Sequence, residues 1–164
     1  MMNPLKVLRE NTGLTQEEVS KITGIPVKTI RNWEQNTRKP SDWALNLVID
    51  RILREKNNDK QNIDEENGIV SYLSIKKSIE EVVHEYPVQR IFLFGSYAKG
   101  EASDTSDIDL YMESNLKDLE YVELIEKLRM KLNKKVELLS PYTITNSSKI
   151  DNEIKKTGII IYER

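Results

Sequence analysis

A polar stretch near the middle of the sequence constrains most strongly what this chain can fold into. It reads REKNNDKQNIDEENG from Arg54 to Gly68 and is nearly free of apolar residues. Such a stretch cannot help to fill a hydrophobic core. It therefore predicts two domains at residues 1–55 and 70–164, joined by a linker at residues 56–69. Each domain is close to the size at which a core is only just sufficient.

The charge of the chain differs on the two sides of this stretch. Residues 1–60 hold 11 Lys/Arg and 8 Asp/Glu, whereas residues 61–164 hold 14 and 19, so the net charges are about +3 and −5. A basic segment beside an acidic one suits a nucleic-acid-binding module next to a domain with clustered carboxylates, although +3 alone is a weak signal. The charge difference supports the two-domain prediction.

The composition excludes several classes of site. The chain has no cysteine and a single histidine, His84, so disulfides, thiolate zinc sites and metal sites with several imidazoles are excluded. Any metal must be held by carboxylates and water, and His84 is interpreted as a surface residue. There is no apolar run near the roughly 18 residues of a membrane span and no hydrophobic signal core, which predicts a soluble, cytoplasmic protein.

Apolar periodicity predicts short helices before the linker and alternating helices and strands after it. The N-terminal helices are predicted at residues 4–11, 16–23 and 26–35, with a fourth that starts at a Ser41 or Asp42 cap. The later elements are predicted as helix 71–86, strands 88–94 and 107–112, helix 116–132, strand 135–139, helix 147–156 and strand 158–162. The predicted fold class is α+β: an all-α domain followed by a small α/β domain with a mixed sheet.

Two of the N-terminal helices are predicted to be joined by a tight turn. Thr15 and Glu18 form a capping-box pattern that starts a helix at Gln16. Gly24 tolerates the left-handed turn that ends this helix, and Pro26 suits the first turn of the next one. The outer face of that second helix is polar and rich in cations and amides, and it consists of Val27, Lys28, Arg31, Asn32 and Gln35.

This outer face has two possible interpretations. Amides and cations pair with base edges in the major groove, as a DNA-recognition helix requires. Any short amphipathic helix also has a solvated polar face, and the composition of the face alone favours neither interpretation.

The sequence LTQEEVSKITGIPVKTIRNWEQNTRKPS decides between them, because it resembles the phage-repressor (XRE) helix-turn-helix family over roughly residues 4–55. The resemblance implies base contacts by Gln16, Val27, Lys28 and Asn32, with Arg31 on the same face and Arg38 or Lys39 on a phosphate. This chain has Asn36 where the family usually has glycine, and asparagine can also adopt positive φ. Members usually bind pseudo-palindromic sites as dimers, which implies a dimer here.

The informative C-terminal stretch is IFLFGSYAKGEASDTSDIDLYM, residues 91–112. A buried strand runs into Gly95 and Ser96, where glycine allows a ligand to approach the backbone and a helix start attracts phosphate. On an extended strand, Asp107 and Asp109 project to the same face, roughly 6 to 7 Å apart. Carboxylates so close together suit Mg²⁺. A lone pair of exposed strand aspartates is the alternative, and the coupled Gly-Ser turn argues against it.

Together, GSYAKGE and SDIDL resemble the GS…DxD motif of the DNA polymerase β-like nucleotidyltransferase superfamily, in particular its minimal nucleotidyltransferase (MNT) members, over about residues 70–164. The resemblance implies ATP as substrate and two Mg²⁺ ions held by Asp107, Asp109 and a third carboxylate. In the family the third carboxylate lies on a later strand, and Glu137 in KKVELLS is the only candidate in a strand context here, where the family more often has aspartate. Nucleotide binding is assigned to Gly95, Ser96, Lys99 and Ser106.

The two resemblances suggest one combined role. MNT proteins commonly act as antitoxins that place AMP on a tyrosine of a partner HEPN-domain RNase toxin, and a fused helix-turn-helix would let such an antitoxin repress its own operon. Only a short helix and strand follow Glu137, which favours a macromolecular acceptor. The alternative is a transcriptional repressor whose C-terminal domain senses nucleotide or docks a partner without catalysis. Tyr111, Tyr121 and Tyr162 are interpreted as packing residues.

Overall fold

A computed structural model describes residues 3–56, 68–145 and 148–164. The N-terminal region consists of four helices: α1 (Pro4–Asn11), α2 (Gln16–Thr23), α3 (Val27–Glu34) and α4 (Asp42–Lys56). The C-terminal elements are α5 (Tyr72–Val83), β1 (Val88–Phe94), α6 (Gly95–Lys99), β2 (Ile108–Ser114), α7 (Asp118–Leu132), β3 (Val136–Leu139), α8 (Lys149–Thr157) and β4 (Ile159–Glu163). The predicted fold class is confirmed, and the predicted elements follow in the predicted order, with the short helix α6 added between the first two strands. Most of the predicted linker, residues 57–67, lies outside the described residues.

Local side chains explain where the N-terminal helices begin and end. Asn3 caps α1 by accepting hydrogen bonds from the backbone N–H groups of Leu5 and Lys6, at 3.0 and 3.1 Å. Both halves of the predicted Thr15–Glu18 capping box are present at α2. Gly24 ends α2 with φ of 73°, a conformation that glycine adopts without strain.

A buried ion pair ties α1 to α3. Arg9 contacts Glu34 through two parallel bonds, Nε to Oε1 at 2.6 Å and Nη2 to Oε2 at 3.0 Å. The Glu34 side chain is only 3% exposed, and Gln16 Nε2 also donates to it at 2.9 Å. Because its partners approach from α1 and α2, Glu34 fixes the position of α3 against both helices.

The sheet has the strand order β3-β2-β1-β4 and is mixed, as predicted. β1 pairs antiparallel with both β2 and β4, whereas β3 pairs parallel with β2. One face is fully apolar and packs under α5 and α7, with the buried side chains Ile91, Leu93, Ile108, Leu110, Met112, Val136 and Leu138. The alternate residues of each strand lie on the opposite face, which carries the polar groups.

The helical region packs directly against the C-terminal region. Asn11 Nδ2 donates to the Thr157 carbonyl at 2.7 Å, which joins α1 to α8. Asp50 on α4 accepts from the Leu73 backbone N–H at 3.3 Å, near the start of α5. The apolar residues of both regions form one contiguous core cluster. No local pattern in the sequence indicates this contact.

Within the described part of the chain, every helix is either too short or too polar to cross a membrane.

Candidate active site and DNA-binding surface

Three sequence-predicted carboxylates lie at one end of the polar sheet face. Asp109 on β2 pairs in register with Phe94 on β1 and with Glu137 on β3, so these three residues form a row across the sheet. Asp107 immediately precedes β2 and, by the alternation of side chains, belongs to the same face. We refer to Asp107, Asp109 and Glu137 as the carboxylate row.

Gly95 lies against this row and has no room for a side chain. It follows β1 as the first residue of α6, with φ of 65°. A Cβ atom at this position would lie 2.0 Å from Oδ2 of Asp109. Glycine is therefore required both by the backbone conformation and by the closeness of the carboxylate. The start of α6 and the Asp109 carboxylate consequently share one small volume.

The carboxylate row is electrostatically unbalanced. Burial raises the pKa of Asp109 to about 6, and the negative charges of Glu137, Asp107 and Glu153 contribute to this increase in that order. Lys135 opposes this effect, since its ammonium lies 2.5 Å from Oδ2 of Asp107. The ionised form of Asp109 is thus disfavoured at this position. An additional cation would relieve its repulsion with the neighbouring carboxylates.

The chemistry of this donor set suits a divalent cation such as Mg²⁺, because it consists of hard carboxylate oxygens. Asp107, Asp109 and Glu137 would hold it. Across residues 3–56, 68–145 and 148–164, no three acidic, histidine or cysteine side chains converge closely enough to enclose a metal as they stand. The Asp107 carboxylate is instead directed to Lys135.

The remaining predicted nucleotide-binding residues are placed differently from one another. Ser96 lies in the first turn of α6, beside Gly95. Lys99 is paired with Glu153 of α8, at 2.5 Å between Nζ and Oε1. Ser106 accepts a hydrogen bond from the Ser103 backbone N–H at 2.9 Å, so it shapes the loop before β2. Of these three side chains, two already have partners within the chain.

Sequence reasoning missed two charged residues near the row, Lys135 and Glu153. Lys135 could have been found from the parallel pairing of β2 with β3, because that register sets it beside Asp107 just as it sets Glu137 beside Asp109. Glu153 reaches the site only because α8 packs against α6, and no local pattern in the sequence signals that contact.

The predicted DNA-binding residues lie mainly on and near α3. Lys28, Arg31 and Lys39 are exposed, whereas Val27 and Asn32 are half-buried. Asn36 has φ of 57°, so it does adopt the positive φ that the sequence suggests. Its side chain accepts from Asn3 Nδ2 at 3.0 Å, which holds the segment after α3 against the start of α1.

Gln16 is not a free base-reading amide in this structure. Its Nε2 donates to Glu34, and its Oε1 accepts from Arg31 Nε at 3.5 Å. Gln16 therefore links the buried Arg9–Glu34 pair to the exposed face of α3. His84 lies exposed at the end of α5, in agreement with its interpretation as a surface residue.

Comparison with known families matches both parts of the chain. A family model described as polymerase beta nucleotidyltransferase matches residues 76–164, and one described as helix-turn-helix matches residues 5–42. The first of these ranges contains the whole carboxylate row, and the second contains α2 and α3.

Relatives in Methanocaldococcus jannaschii match a little under half of the chain. The chain is 40% identical to MJ1379 over 76 residues, which is 44% of this chain and 76% of that protein. It is 39% identical to MJ1215 over 72 residues, which is 43% of this chain and 84% of that protein. Both relatives are named for a protein adenylyltransferase activity.

Two solved structures are more distantly similar. One is a toxin-antitoxin complex with AMP-PNP, with 24% identity, a TM-score of 0.47, and coverage of 58% of this chain and 75% of that chain. The other is a tri-AMPylated Shewanella oneidensis HEPN toxin with its MNT antitoxin, with 21% identity, a TM-score of 0.45, and coverage of 57% and 73%.

Proposed function

Because the chain belongs to the polymerase beta nucleotidyltransferase family and also carries a helix-turn-helix region, we propose that it transfers AMP from ATP to a tyrosine hydroxyl of a HEPN-like partner toxin and represses the operon that encodes both proteins. The observation that carries this proposal is the carboxylate row packed against Gly95. The names of the M. jannaschii relatives favour a protein as the acceptor of AMP.

In the proposed reaction, the acceptor oxygen attacks the α-phosphorus of ATP, the bond from that phosphorus to the bridging oxygen breaks, and pyrophosphate leaves. Glu137 accepts the proton of the acceptor hydroxyl. The Gly95 backbone and the Ser96 hydroxyl donate to the phosphates, and the missing side chain at Gly95 lets them approach. Mg²⁺ held by Asp107, Asp109 and Glu137 would supply positive charge to the phosphates during in-line displacement.

For DNA binding, we propose that the exposed face of α3 enters the major groove and that Lys39 contacts a phosphate. A dimer would place two such helices on a pseudo-palindromic operator. Gln16 would act through the hydrogen bonds that hold Glu34 and Arg31, and thereby orient Arg31 toward the groove. Replacing both side chains, in the variant Lys28→Ala/Asn32→Ala, should weaken binding to the protein's own promoter without changing ATP binding.

A second candidate function is supported by two ion pairs. Lys135 already neutralises Asp107, and Lys99 is already paired with Glu153. Together with glutamate at the third carboxylate position, these pairs favour a repressor whose C-terminal domain senses nucleotide without catalysing transfer. This candidate predicts ATP binding without labelling of any acceptor.

The transfer experiment separates the two candidates. The purified chain is mixed with ATP labelled at the α-phosphate, Mg²⁺ and the protein encoded beside it. We expect label on a tyrosine of that protein, and no label with the Asp107→Asn/Asp109→Asn variant. An exposed-loop variant, Asp104→Asn, should transfer label normally. Absence of label with the wild type, or equal label with the double variant, would contradict the enzymatic function.

A further inference from the structure

A cavity lies on the same sheet face as the carboxylate row, one row of side chains further along. It has a volume of about 230 Å³. Its floor is the register row Ile160–Phe92–Tyr111, which crosses β4, β1 and β2. The neighbouring row on that face contains Phe94 and Asp109. Because residues on one face repeat every second position, the two rows are roughly 6 to 7 Å apart.

The walls of the cavity come from both regions of the chain. Ile154 of α8 lines one side, and Pro4 and Val7 of α1 line another. Two ion pairs stand at its edges, Arg90–Glu113 at 2.6 Å and Lys155–Asp151 at 2.7 Å. The first helix of the DNA-binding region is thus part of a cavity beside the carboxylate row.

The strand order restricts what this cavity can hold. In-line displacement places the leaving pyrophosphate and the attacking oxygen on opposite sides of the α-phosphorus. Gly95 and Ser96 follow β1, Asp109 lies on β2 and Glu137 lies on β3, so the line from pyrophosphate to acceptor crosses the strands. Along the strands, the row has the end of the sheet on one side and the cavity on the other, so a nucleoside that extends over the sheet enters the cavity.

The size and lining of the cavity also suit a nucleobase. Its volume is below the roughly 300–1,000 Å³ of sites that enclose a whole small molecule, and it is sufficient for one ring system. The rings of Phe92 and Tyr111 lie side by side, with centroids 6.0 Å apart and an angle of 42° between their planes. Flat aromatic bases stack on such side chains.

We propose that this cavity binds the nucleobase of the nucleotide whose phosphates lie at Gly95 and Ser96, with Pro4 and Val7 of α1 as one wall. The proposal rests on the proposed function, since it assumes that a nucleoside triphosphate occupies the carboxylate row. It assigns the DNA-binding region a direct part in nucleotide binding.

The test compares two ligands, ATP and inorganic tripolyphosphate, each titrated by calorimetry into the full chain with Mg²⁺. Tripolyphosphate has no base, so it reports only on the phosphate site. Ile160→Trp fills the cavity from the sheet, and Val7→Phe fills it from α1. We expect both variants to bind ATP about ten-fold or more weakly than the wild type, while tripolyphosphate binding stays unchanged. Unchanged tripolyphosphate binding also shows that the variant is folded.

Tyr162→Trp is the matched control, because Tyr162 lies two residues after Ile160 on the same strand and lines the neighbouring cleft, which Ile160 also borders, but not the proposed cavity. It should leave the affinity for both ligands unchanged. Wild-type ATP affinity in either cavity variant would overturn the inference, as would loss of AMP transfer with ATP affinity intact, which would assign the cavity to the acceptor. If the wild type bound neither ATP nor tripolyphosphate, this result would instead overturn the proposed function, and the inference with it.

Discussion

The two regions of this molecule differ in whether nearby side chains balance a buried negative charge. In the helical region, Glu34 is almost fully buried, but it accepts two bonds from Arg9 and one from Gln16. In the sheet, Asp109 is partly buried with Glu137, Asp107 and Glu153 as its negative neighbours, and burial and repulsion raise its pKa. The first charge is balanced within the chain and stabilises a helix packing. The second is left unbalanced, which is the condition in which a bound cation contributes most.

The largest effect is expected from breaking the balanced pair. Glu34→Ala leaves Arg9, whose side chain is 16% exposed, without its main partner. We expect the free energy of unfolding to fall by about 3 kcal/mol. Glu10→Ala is the control, because Glu10 is exposed and its contacts with Lys6 and Arg9 are 3.9 and 3.8 Å long; its effect should stay below about 0.5 kcal/mol. Chemical denaturation measures both. Equal losses in the two variants would show that burial of the Arg9–Glu34 pair does not contribute to the free energy of unfolding.

The next effect concerns the closeness of Gly95 to Asp109. Gly95→Ala introduces a Cβ 2.0 Å from Oδ2 of Asp109 and also requires positive φ. Gly13→Ala is the matched control, since Gly13 has φ of 66° but no atom within 4 Å of the position that a Cβ would take. We expect a loss of about 1 kcal/mol for Gly13→Ala and at least about 2 kcal/mol for Gly95→Ala. If the two losses were equal, the contact with Asp109 would have no energetic consequence.

The smallest effect on stability is expected when the Asp109→Asn substitution removes the repulsion in the absence of metal. The pKa of the Asp109 carboxyl is about 6 in the folded chain, against 3.8 as its ordinary value. Its contribution to stability is therefore full below pH 3.8 and is lost as the pH rises through 6. With EDTA at about pH 8, Asp109→Asn should be more stable than the wild type by about 1 kcal/mol, after allowance for solvent screening.

This advantage should shrink as the pH falls toward the ordinary pKa of an aspartate, because wild-type Asp109 then becomes neutral. Asp104→Asn is the control, since Asp104 is exposed in the loop before β2. An advantage of Asp109→Asn that did not vary with pH would contradict the assigned cause, which is the ionised carboxylate.

Local sequence patterns predicted the features that depend on neighbouring residues. The capping box at Thr15 and Glu18 is present, and the left-handed turn at Gly24 is formed. The alternation of apolar residues also predicted that Asp109 lies on the strand face opposite the apolar core. Each of these features needs only a few consecutive residues to be specified.

The features that the sequence did not reveal join distant parts of the chain. Arg9 and Glu34 are 25 positions apart, Lys135 and Asp107 are 28, and Lys99 and Glu153 are 54. Each pair depends on how helices and strands pack, which local periodicity does not encode. The same holds for Gln16, whose amide is held by its contact with Glu34, 18 positions away.

We propose that the unbalanced carboxylate row binds a divalent cation, and the stability of the chain with and without Mg²⁺ is the measurement that tests this proposal. Thermal unfolding is followed at about pH 8 with and without Mg²⁺ for the wild type, Asp107→Asn/Asp109→Asn and Asp104→Asn. A ligand that binds only the folded chain stabilises it. We predict that Mg²⁺ raises the melting temperature of the wild type and of Asp104→Asn, and that the double variant does not respond. An equal response of the double variant, or no response of the wild type, would contradict the claim.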